Sequence, residues 1–463
     1  MKHFGWMLLA GSSLVFATLV AGAETRPQYG GTLHLSMHET PTSLDPTDTA
    51  QPDSLAWRNL TSMMFETLVT VDDHGHISPG LATFWLLSAN GRAGACQLRL
   101  RKEVMFHDGT ALTSALVAKS LQAANPSWKI NAEADSVTIE MDPSHSVDVI
   151  RQLALTRNSI VKKMDDGRLI GTGPFHVAEW AAGKKLVLGA EETYWGGRPF
   201  LDAIEINFGQ GFHEQLITLE SGRAALIEIP AEQLHRMATA GRRLLSSEPI
   251  QLVALVFARA ANSPEEKSLR EALALSIDRA SIGNVILQGA GSPAFSILPN
   301  WMSGYSFAFS QATDLMLARR LREGVRTITP WTISYDASDS IDGLVAGRIA
   351  LNARDAGLQL QPTKALTADV RLVRISLSAE SSTTLKAVAT LAGLPPPNFN
   401  GDSIEGLYAA ERALLGTQRL IPLFHLPVIY AASTELQGWK LRPDGLWNAA
   451  DSWLSRKSGS VTH

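Results

Sequence analysis

Two apolar stretches, residues 252–257 (LVALVF) and residues 421–431 (IPLFHLPVIYA), decide the fold of this chain. The first is a continuous apolar run, which is typical of a strand buried on both faces. The second is apolar and strand-like, although Pro422 and Pro427 interrupt it. The residues between them alternate between strand and helix patterns, as in an α/β lobe. The sequence therefore predicts two lobes joined by two long strands that form a hinge, with crossings near 255–260 and 421–431.

Residues before the first apolar stretch predict a lobe that contains a smaller subdomain. Thr113 is a suitable N-cap for a helix over 114–122, and residues 136–141 alternate like a strand. Helices and strands mix between about 50 and 165, which indicates an inserted α+β subdomain. Further elements are predicted as a helix over 53–69 and as strands over 31–37, 98–101, 104–106, 175–180, 185–188 and 201–208.

The residues after position 258 predict the second lobe. Apolar residues at helical spacing indicate helices that begin near residues 263, 341 and 405. The segment 361–400 has a weaker pattern, and its three prolines at 395–397 predict a loop or a short linker.

These patterns divide the chain into four parts. A chain of this length is too long for a single hydrophobic core. The predicted parts are a signal peptide at 1–23, a first lobe at 24–258 that contains the subdomain at about 50–165 and is completed by 432–463, and a second lobe at 259–431.

The N-terminus predicts export. Lys2 precedes an apolar run over 4–20, and the small residues 21–23 (AGA) close it. This order is typical of a secretory signal peptide, so we expect cleavage after Ala23 and a periplasmic location. An uncleaved anchor is the alternative, because the run is about 17 residues long and therefore close to the length that spans a bilayer.

Composition excludes several classes of protein. The net charge of −4 and the scattered basic residues argue against a nucleic-acid partner. Cys96 is the single cysteine, so an internal disulfide framework is excluded, and its strand-like surroundings predict a buried thiol. No cofactor motif is present in the sequence.

Motifs for catalysis and metal binding are weak. Ser159 and Lys162 form one S-x-x-K match, but the S-D-N and K-T-G partners of a Ser–Lys acyl transferase are missing. His34 and His38 lie roughly 13 Å apart if they are on one strand, which is too far to share an ion. A solvated turn is favoured for His74 and His76. We therefore predict neither a metal site nor an enzyme, and keep an exported Ser–Lys hydrolase as an alternative.

Five blocks in order resemble one family, the family 5 bacterial extracellular solute-binding proteins. They are residues 99–113 (RLRKEVMFHDGTALT), 171–175 (GTGPF) followed by 194–199 (YWGGRP), 270–279 (REALALSIDR), 421–425 (IPLFH) and 445–447 (GLW). The resemblance implies the class II periplasmic-binding-protein fold with an extra N-terminal subdomain. It also implies a monomeric receptor of an ABC importer, which captures a short peptide or other small polar solute by hinge closure and docks on a membrane permease.

The same resemblance implies where the ligand lies. We expect the cleft to be formed by the loop 41–45, the first crossing and the returning strand. The candidate ligand-binding residues are Thr42, Ser43, Leu44, Phe257, Arg259, His425 and Tyr430.

Two departures from the family pattern leave alternatives open. Residues 257–260 (FARA) stand where relatives usually carry an Asn-Thr pair, and residues 365–404 are shortened. Arg259 favours a carboxylate-bearing ligand if it faces the cleft, and otherwise makes a surface salt bridge. The shortened segment leaves open a receptor of the same fold that signals or acts as a chaperone without a transporter.

Overall fold

The structure is a computed structural model, in which residues 26–72, 76–90, 93–141, 146–309, 313–326, 329–337, 339–365, 367–378, 380–397 and 403–455 are described. The predicted signal peptide and His74 lie outside these residues. Among the described residues, no helix combines the length and apolar character needed to cross a bilayer.

Strands and helices alternate along the chain. The strands are β1 (Thr32–Ser36), β2 (Val69–Val71), β3 (Ile77–Pro79), β4 (Ala82–Asn90), β5 (Ala93–Leu100), β6 (Lys129–Ala132), β7 (Ser136–Met141), β8 (Lys162–Lys163), β9 (Leu169–Ile170), β10 (Phe175–Ala181), β11 (Lys185–Ala190), β12 (Ala203–Asn207), β13 (Leu226–Ile229), β14 (Arg243–Phe257), β15 (Ser292–Pro293), β16 (Trp331–Ser334), β17 (Leu360–Thr363), β18 (Val370–Ser376), β19 (Leu420–Ala432), β20 (Leu436–Gln437), β21 (Lys440–Leu441), β22 (Trp447–Asn448) and β23 (Trp453–Leu454). The helices are α1 (Leu55–Met64), α2 (Ser114–Ala124), α3 (Ser146–Gln152), α4 (Phe212–Glu220), α5 (Leu234–Thr239), α6 (Pro264–Ser276), α7 (Arg279–Ser281), α8 (Asn300–Ser303), α9 (Leu315–Glu323), α10 (Ser340–Asp355), α11 (Ser381–Leu391) and α12 (Ile404–Gly416).

One long sheet runs through both lobes. Its order is β10-β11-β12-β1-β13-β19-β14-β18-β16-β17, with β15 paired to β19. Strands β1, β12 and β13 are parallel, so their carboxyl ends lie at one edge of the first lobe. That edge leads into the loop that precedes α1.

The two longest strands, β14 and β19, form the predicted hinge. Their antiparallel pairing is irregular between Ser246 and Gln251, where Pro249 lies opposite Pro427. Proline has no N–H to donate, so it interrupts the regular ladder at this point. We therefore propose that the change from one lobe to the other falls near residues 247–250 and 427–428, earlier on the first strand than the expected crossing at 255–260.

Separate hydrophobic cores support this position. Residues 252–257 of β14 pack in the cores of the second lobe. Residues 429–432 of β19 pack with the first lobe. We therefore propose lobe boundaries near residues 250 and 427 instead of 258 and 431.

The inserted subdomain has its own core. Its sheet has the order β4-β5-β7-β6, and Val117 and Leu121 of α2 pack in its core with Leu98 and Val137 of the sheet. Cys96 is fully buried there, as predicted, and burial raises the pKa of its thiol to about 12.

Two sequence predictions are corrected by the structure. Residues 104–106 form no strand; Met105 makes an isolated bridge to Ala111 across the turn. Residues 394–397 form no helix or strand, as predicted, but the rest of the weakly patterned segment, for which the sequence predicts no element, contains β18 and α11. Helix α11 begins with serines and threonines, which are poor helix formers, and it is stabilised by burial of Leu385, Val388 and Ala389.

Candidate functional site

A large cavity lies where the first lobe, the subdomain and the second lobe meet. Its volume is about 1510 Å³. Residues 46–53 and 440–450 line it from the first lobe, residues 151–157 from the subdomain, and α11 from the second lobe. Ligand cavities commonly measure about 300–1,000 Å³, so this cleft has room for a solute larger than one amino acid.

The first-lobe wall is fixed by a local hydrogen-bond network. The side-chain oxygen of Gln51 accepts hydrogen bonds from the backbone N–H groups of Thr42 and Ser43, at 3.1 and 3.2 Å. The indole N–H of Trp57 donates to the Ser43 carbonyl at 3.1 Å. These contacts hold the loop after β1 so that its next segment, residues 46–49, faces the cavity.

Aromatic side chains supply much of the cavity's apolar surface. Glu66, two residues after α1, accepts hydrogen bonds from the Tyr194 hydroxyl at 2.9 Å and the Trp195 indole N–H at 2.9 Å, and also from Thr172. Burial raises the pKa of Glu66, although these hydrogen bonds oppose the rise. The guanidinium of Arg101 stacks on Trp195, 4.1 Å from the ring centre. The aromatic residues that line the cavity are Trp57, Phe65, Trp128, Tyr194, Trp195 and Trp447.

A smaller pocket of about 280 Å³ at the same junction is lined by more cations than carboxylates. Arg151, Arg157 and Lys386 line it together with Asp53 and Glu380. Both carboxylates already accept hydrogen bonds from the protein. Asp53 accepts from the Arg58 guanidinium at 2.6 Å. Glu380 caps α11 by accepting from the Ser382 N–H at 2.9 Å and from the Thr383 N–H.

The three predicted loop residues lie immediately before the lining segment. Thr42 and Ser43 are held by Gln51, and Leu44 is packed in the first-lobe core. None of the three is among the residues that line the cavity.

The two predicted residues at the first crossing lie in the second lobe. Phe257 is buried in its core, edge-on to Trp331 with ring centres 5.3 Å apart. Arg259 is exposed and makes an ion pair with Glu266 at 3.0 Å. The surface salt bridge named as its alternative role is the arrangement that the structure has.

The two predicted residues on the returning strand are core residues. His425 is buried and its Nε2 lies 3.0 Å from the Ile297 carbonyl oxygen. Burial lowers the pKa of His425 to about 4, so it is neutral near pH 7. Tyr430 is also buried and lies edge-on to Trp447, with ring centres 5.9 Å apart. A ligand-binding role for the seven predicted residues stays a prediction.

Sequence reasoning missed Arg151, Arg157 and the α11 wall. Arg157 lies two residues before the S-x-x-K match, in a short 3-10 helix (Thr156–Asn158) that has no periodic signature. Helix α11 lies in the segment that was assigned no regular structure. The signal available for both was chemical rather than periodic, since each segment carries basic and hydroxyl side chains.

The S-x-x-K pair is occupied by other contacts. Lys162 donates to Asp108 and, at 3.0 Å, to the Thr110 hydroxyl. Partial burial would raise the pKa of Asp108, but hydrogen bonds from Lys162 and Thr110 outweigh it and lower that pKa to about 2. The Lys162 ammonium is thus paired with a carboxylate. Over the described ranges, no group of three His, Cys, Asp or Glu side chains is arranged to hold a metal ion.

Comparison with known proteins identifies relatives along the chain. The nickel-binding protein NikA of Staphylococcus aureus is 24% identical over 293 residues, 60% of this chain and 57% of NikA. The oligopeptide-binding protein AppA of Bacillus subtilis is 24% identical over 307 residues, 58% of this chain and 54% of AppA. The aligned part thus spans little more than half the length of each relative.

Solved structures share the fold. NikA in complex with Ni(L-His)2 superposes with a TM-score of 0.74 at 17% identity, covering 92% of this chain and 100% of that chain. The binding protein AgaA in complex with agropinic acid, from A. tumefaciens R10, has a TM-score of 0.73 at 21% identity, covering 92% and 99%. These likenesses confirm the predicted two-lobed class II periplasmic-binding-protein fold.

The family itself is shown by a match over most of the chain. The sequence pattern described as "Bacterial extracellular solute-binding proteins, family 5 Middle" matches residues 76–364. This range includes most of the subdomain, the hairpin β10–β11, the first hinge strand and much of the second lobe. The chain therefore belongs to the family 5 bacterial extracellular solute-binding proteins.

Proposed function

We propose that this protein is the extracytoplasmic receptor of an ABC importer and that it captures a small polar solute in the cavity between its lobes. The observation that carries the proposal is the cavity of about 1510 Å³, which both lobes line beside the hinge strands. Closing two lobes on a solute removes it from water and lets contacts from both sides favour the closed state. The proposed partner is a membrane permease, and the proposed active form is a monomer without catalytic activity, exported after cleavage at Ala23.

We further propose that the solute carries a carboxylate. Arg151 and Arg157 of the subdomain face α11 of the second lobe across the smaller pocket. A guanidinium binds a carboxylate through two parallel hydrogen bonds. Three cations, Arg151, Arg157 and Lys386, line this pocket beside two carboxylates, Asp53 and Glu380, and Asp53 is also paired with Arg58, so positive charge is in excess around it. The aromatic wall suits an apolar part of the same solute.

A thermal-shift screen tests the proposal. The probes are short peptides, nickel with L-histidine, and agropinic acid, each at millimolar concentration. A solute present at a hundred times its Kd stabilises the folded protein by about 2.7 kcal/mol. We expect at least one carboxylate-bearing probe to raise the melting temperature, and calorimetry then gives its Kd.

The Arg157→Gln variant locates the binding site. We expect it to lose most of the shift, whereas Arg242→Gln, on an exposed ion pair of the first lobe, keeps it. Full binding by Arg157→Gln would refute the carboxylate site. The absence of any shift across the panel would contradict the solute-capture proposal.

A further inference from the structure

Arg58 lines the cavity but contacts both lobes. It lies on α1, whose apolar residues pack in the first-lobe core, and it is one of the lining residues. Its Nη1 donates at 2.7 Å to the carbonyl oxygen of Leu377, which belongs to the second lobe. This hydrogen bond joins the lobes at a point that is separate from the covalent connection through β14 and β19.

The guanidinium is held in place on the first-lobe side. Its Nε donates to the Asp53 carboxylate at 2.6 Å, and its Nη2 donates to the Asp53 carbonyl oxygen at 3.1 Å. Each of the three nitrogens therefore has an acceptor within the protein, and the residue is 9% exposed. A buried guanidinium whose three nitrogens all donate hydrogen bonds to the protein is fixed in one orientation.

The accepting carbonyl lies next to the hinge. The N–H of Leu377 donates to the carbonyl oxygen of Ile250 at 2.8 Å, and Ile250 lies within the irregular pairing of β14 and β19. Leu55, one turn before Arg58 on α1, packs at the same place. A Cβ on Gly445, which has a φ of +78°, would lie 2.3 Å from Ile250 and 3.0 Å from Leu55.

We propose that Arg58 is a positioning residue for closure, which sets the relative orientation of the lobes and makes no contact with the solute. This inference deepens and rests on the proposed function, because orientation matters only if the lobes close on a ligand. The apparent affinity of such a receptor falls in proportion to the fraction of molecules in the binding-competent arrangement. Arg58 acts on that fraction from the wall of the cleft itself.

A distance measurement between the lobes in ligand-free protein tests the proposal. Spin labels are attached to cysteines introduced at Glu214 on α4 and Glu405 on α12, which are both exposed. Native Cys96 is buried and does not compete for the label. Pulsed electron–electron double resonance then measures the distance between the two labels. It is recorded for the doubly labelled protein with Arg58 intact and for its Arg58→Met, Arg58→Lys and Arg242→Met variants.

The expected result is a graded change. Arg58→Met widens the distance distribution about twofold or shifts its mean, because the hydrogen bond between Arg58 and Leu377 that joins the lobes is lost. Arg58→Lys gives an intermediate width, since an ammonium keeps the positive charge but lacks the planar fork by which the guanidinium contacts both Asp53 and Leu377. Arg242→Met, which removes an exposed ion pair within the first lobe, leaves the distribution unchanged.

An unchanged distribution in both Arg58 variants would overturn the proposal. If Arg58→Met does not fold, Arg58→Lys decides, with a wider distribution in support and the native width against. Since no ligand is present in this experiment, its result is independent of the solute screen. A failed screen with widened Arg58 variants would count against the proposed function alone.

Discussion

The two walls of the cleft are built differently. On the side of the first lobe and the subdomain, large side chains are held by buried hydrogen bonds, as Glu66 holds Tyr194 and Trp195. The wall of the second lobe consists of α11 and the residues just before it, and α11 presents short side chains such as Thr383, Ala387 and Thr390. A preorganised wall binds a solute of complementary shape at little entropic cost. A wall of small side chains instead accommodates solutes of many shapes. We therefore propose that recognition of the solute depends more on the first wall than on the second.

The largest effect is expected from replacing Glu66, which holds the aromatic side chains of the first wall. We expect Glu66→Ala to lower the free energy of unfolding by about 3 kcal/mol, because the hydroxyl and indole donors that it satisfies are left unpaired. Urea unfolding followed by tryptophan fluorescence measures the loss. The matched control, Glu405→Ala, removes an exposed carboxylate from α12 and should change stability by less than about 0.5 kcal/mol. A loss no larger than the control's would show that this wall is not preorganised by Glu66.

Replacing Arg157 affects recognition rather than stability. We expect Arg157→Gln to raise the Kd of the solute found in the screen by about tenfold to a hundredfold. This equals about 1.4–2.8 kcal/mol of binding free energy and reflects the loss of a charge-assisted contact. Calorimetry measures the change, and the unfolding midpoint should stay within error because the side chain is exposed. Native affinity in the variant would contradict the proposal that Arg157 binds a carboxylate of the solute.

A buried carboxylate makes the second lobe sensitive to pH. Glu411 of α12 is fully buried and accepts hydrogen bonds from the Leu298 N–H at 3.1 Å and the Tyr305 hydroxyl at 2.9 Å. Burial raises its pKa to about 7, from an ordinary value of 4.5. Because the folded state then binds a proton more tightly than the unfolded state, this stabilisation is complete below about pH 4.5 and is lost as pH rises through 7.

Urea unfolding at pH 5 and pH 8 measures this effect. We expect the second lobe to lose about 2 kcal/mol between the two values, and Glu411→Gln to remove most of that dependence. An equal slope in the native protein and in Glu411→Gln would assign the pH dependence to other groups.

The smallest effect is expected on the second wall. Thr390→Ala removes one exposed hydroxyl from α11, and that hydroxyl is already bonded to the Lys386 carbonyl within the helix. Solute affinity should change by less than about threefold, or about 0.6 kcal/mol. A loss as large as that of Arg157→Gln would place specific recognition on the second wall and reverse the contrast.

The fold predicted from the sequence is confirmed, whereas the seven predicted ligand-binding residues stay a prediction. The hinge strands and the helix capped by Thr113 were recognisable, since apolar runs and N-caps are local signals. Helix α11 was not, because its serines and threonines have low helix propensity and its stability comes from tertiary packing. The predicted residues Phe257, His425 and Tyr430 lie on hinge strands, where alternate side chains point into the cores. Residues 252–257 of β14 are buried on both faces, and neither β14 nor β19 contributes a residue to the cavity lining.

Hydrogen–deuterium exchange with and without the strongest-binding solute from the screen tests whether the solute lies between the two walls. We expect slower exchange in both residues 151–159 of the subdomain and α11 of the second lobe, because the solute contacts both. Protection confined to one of these walls, or located away from the cleft, would contradict this placement of the solute.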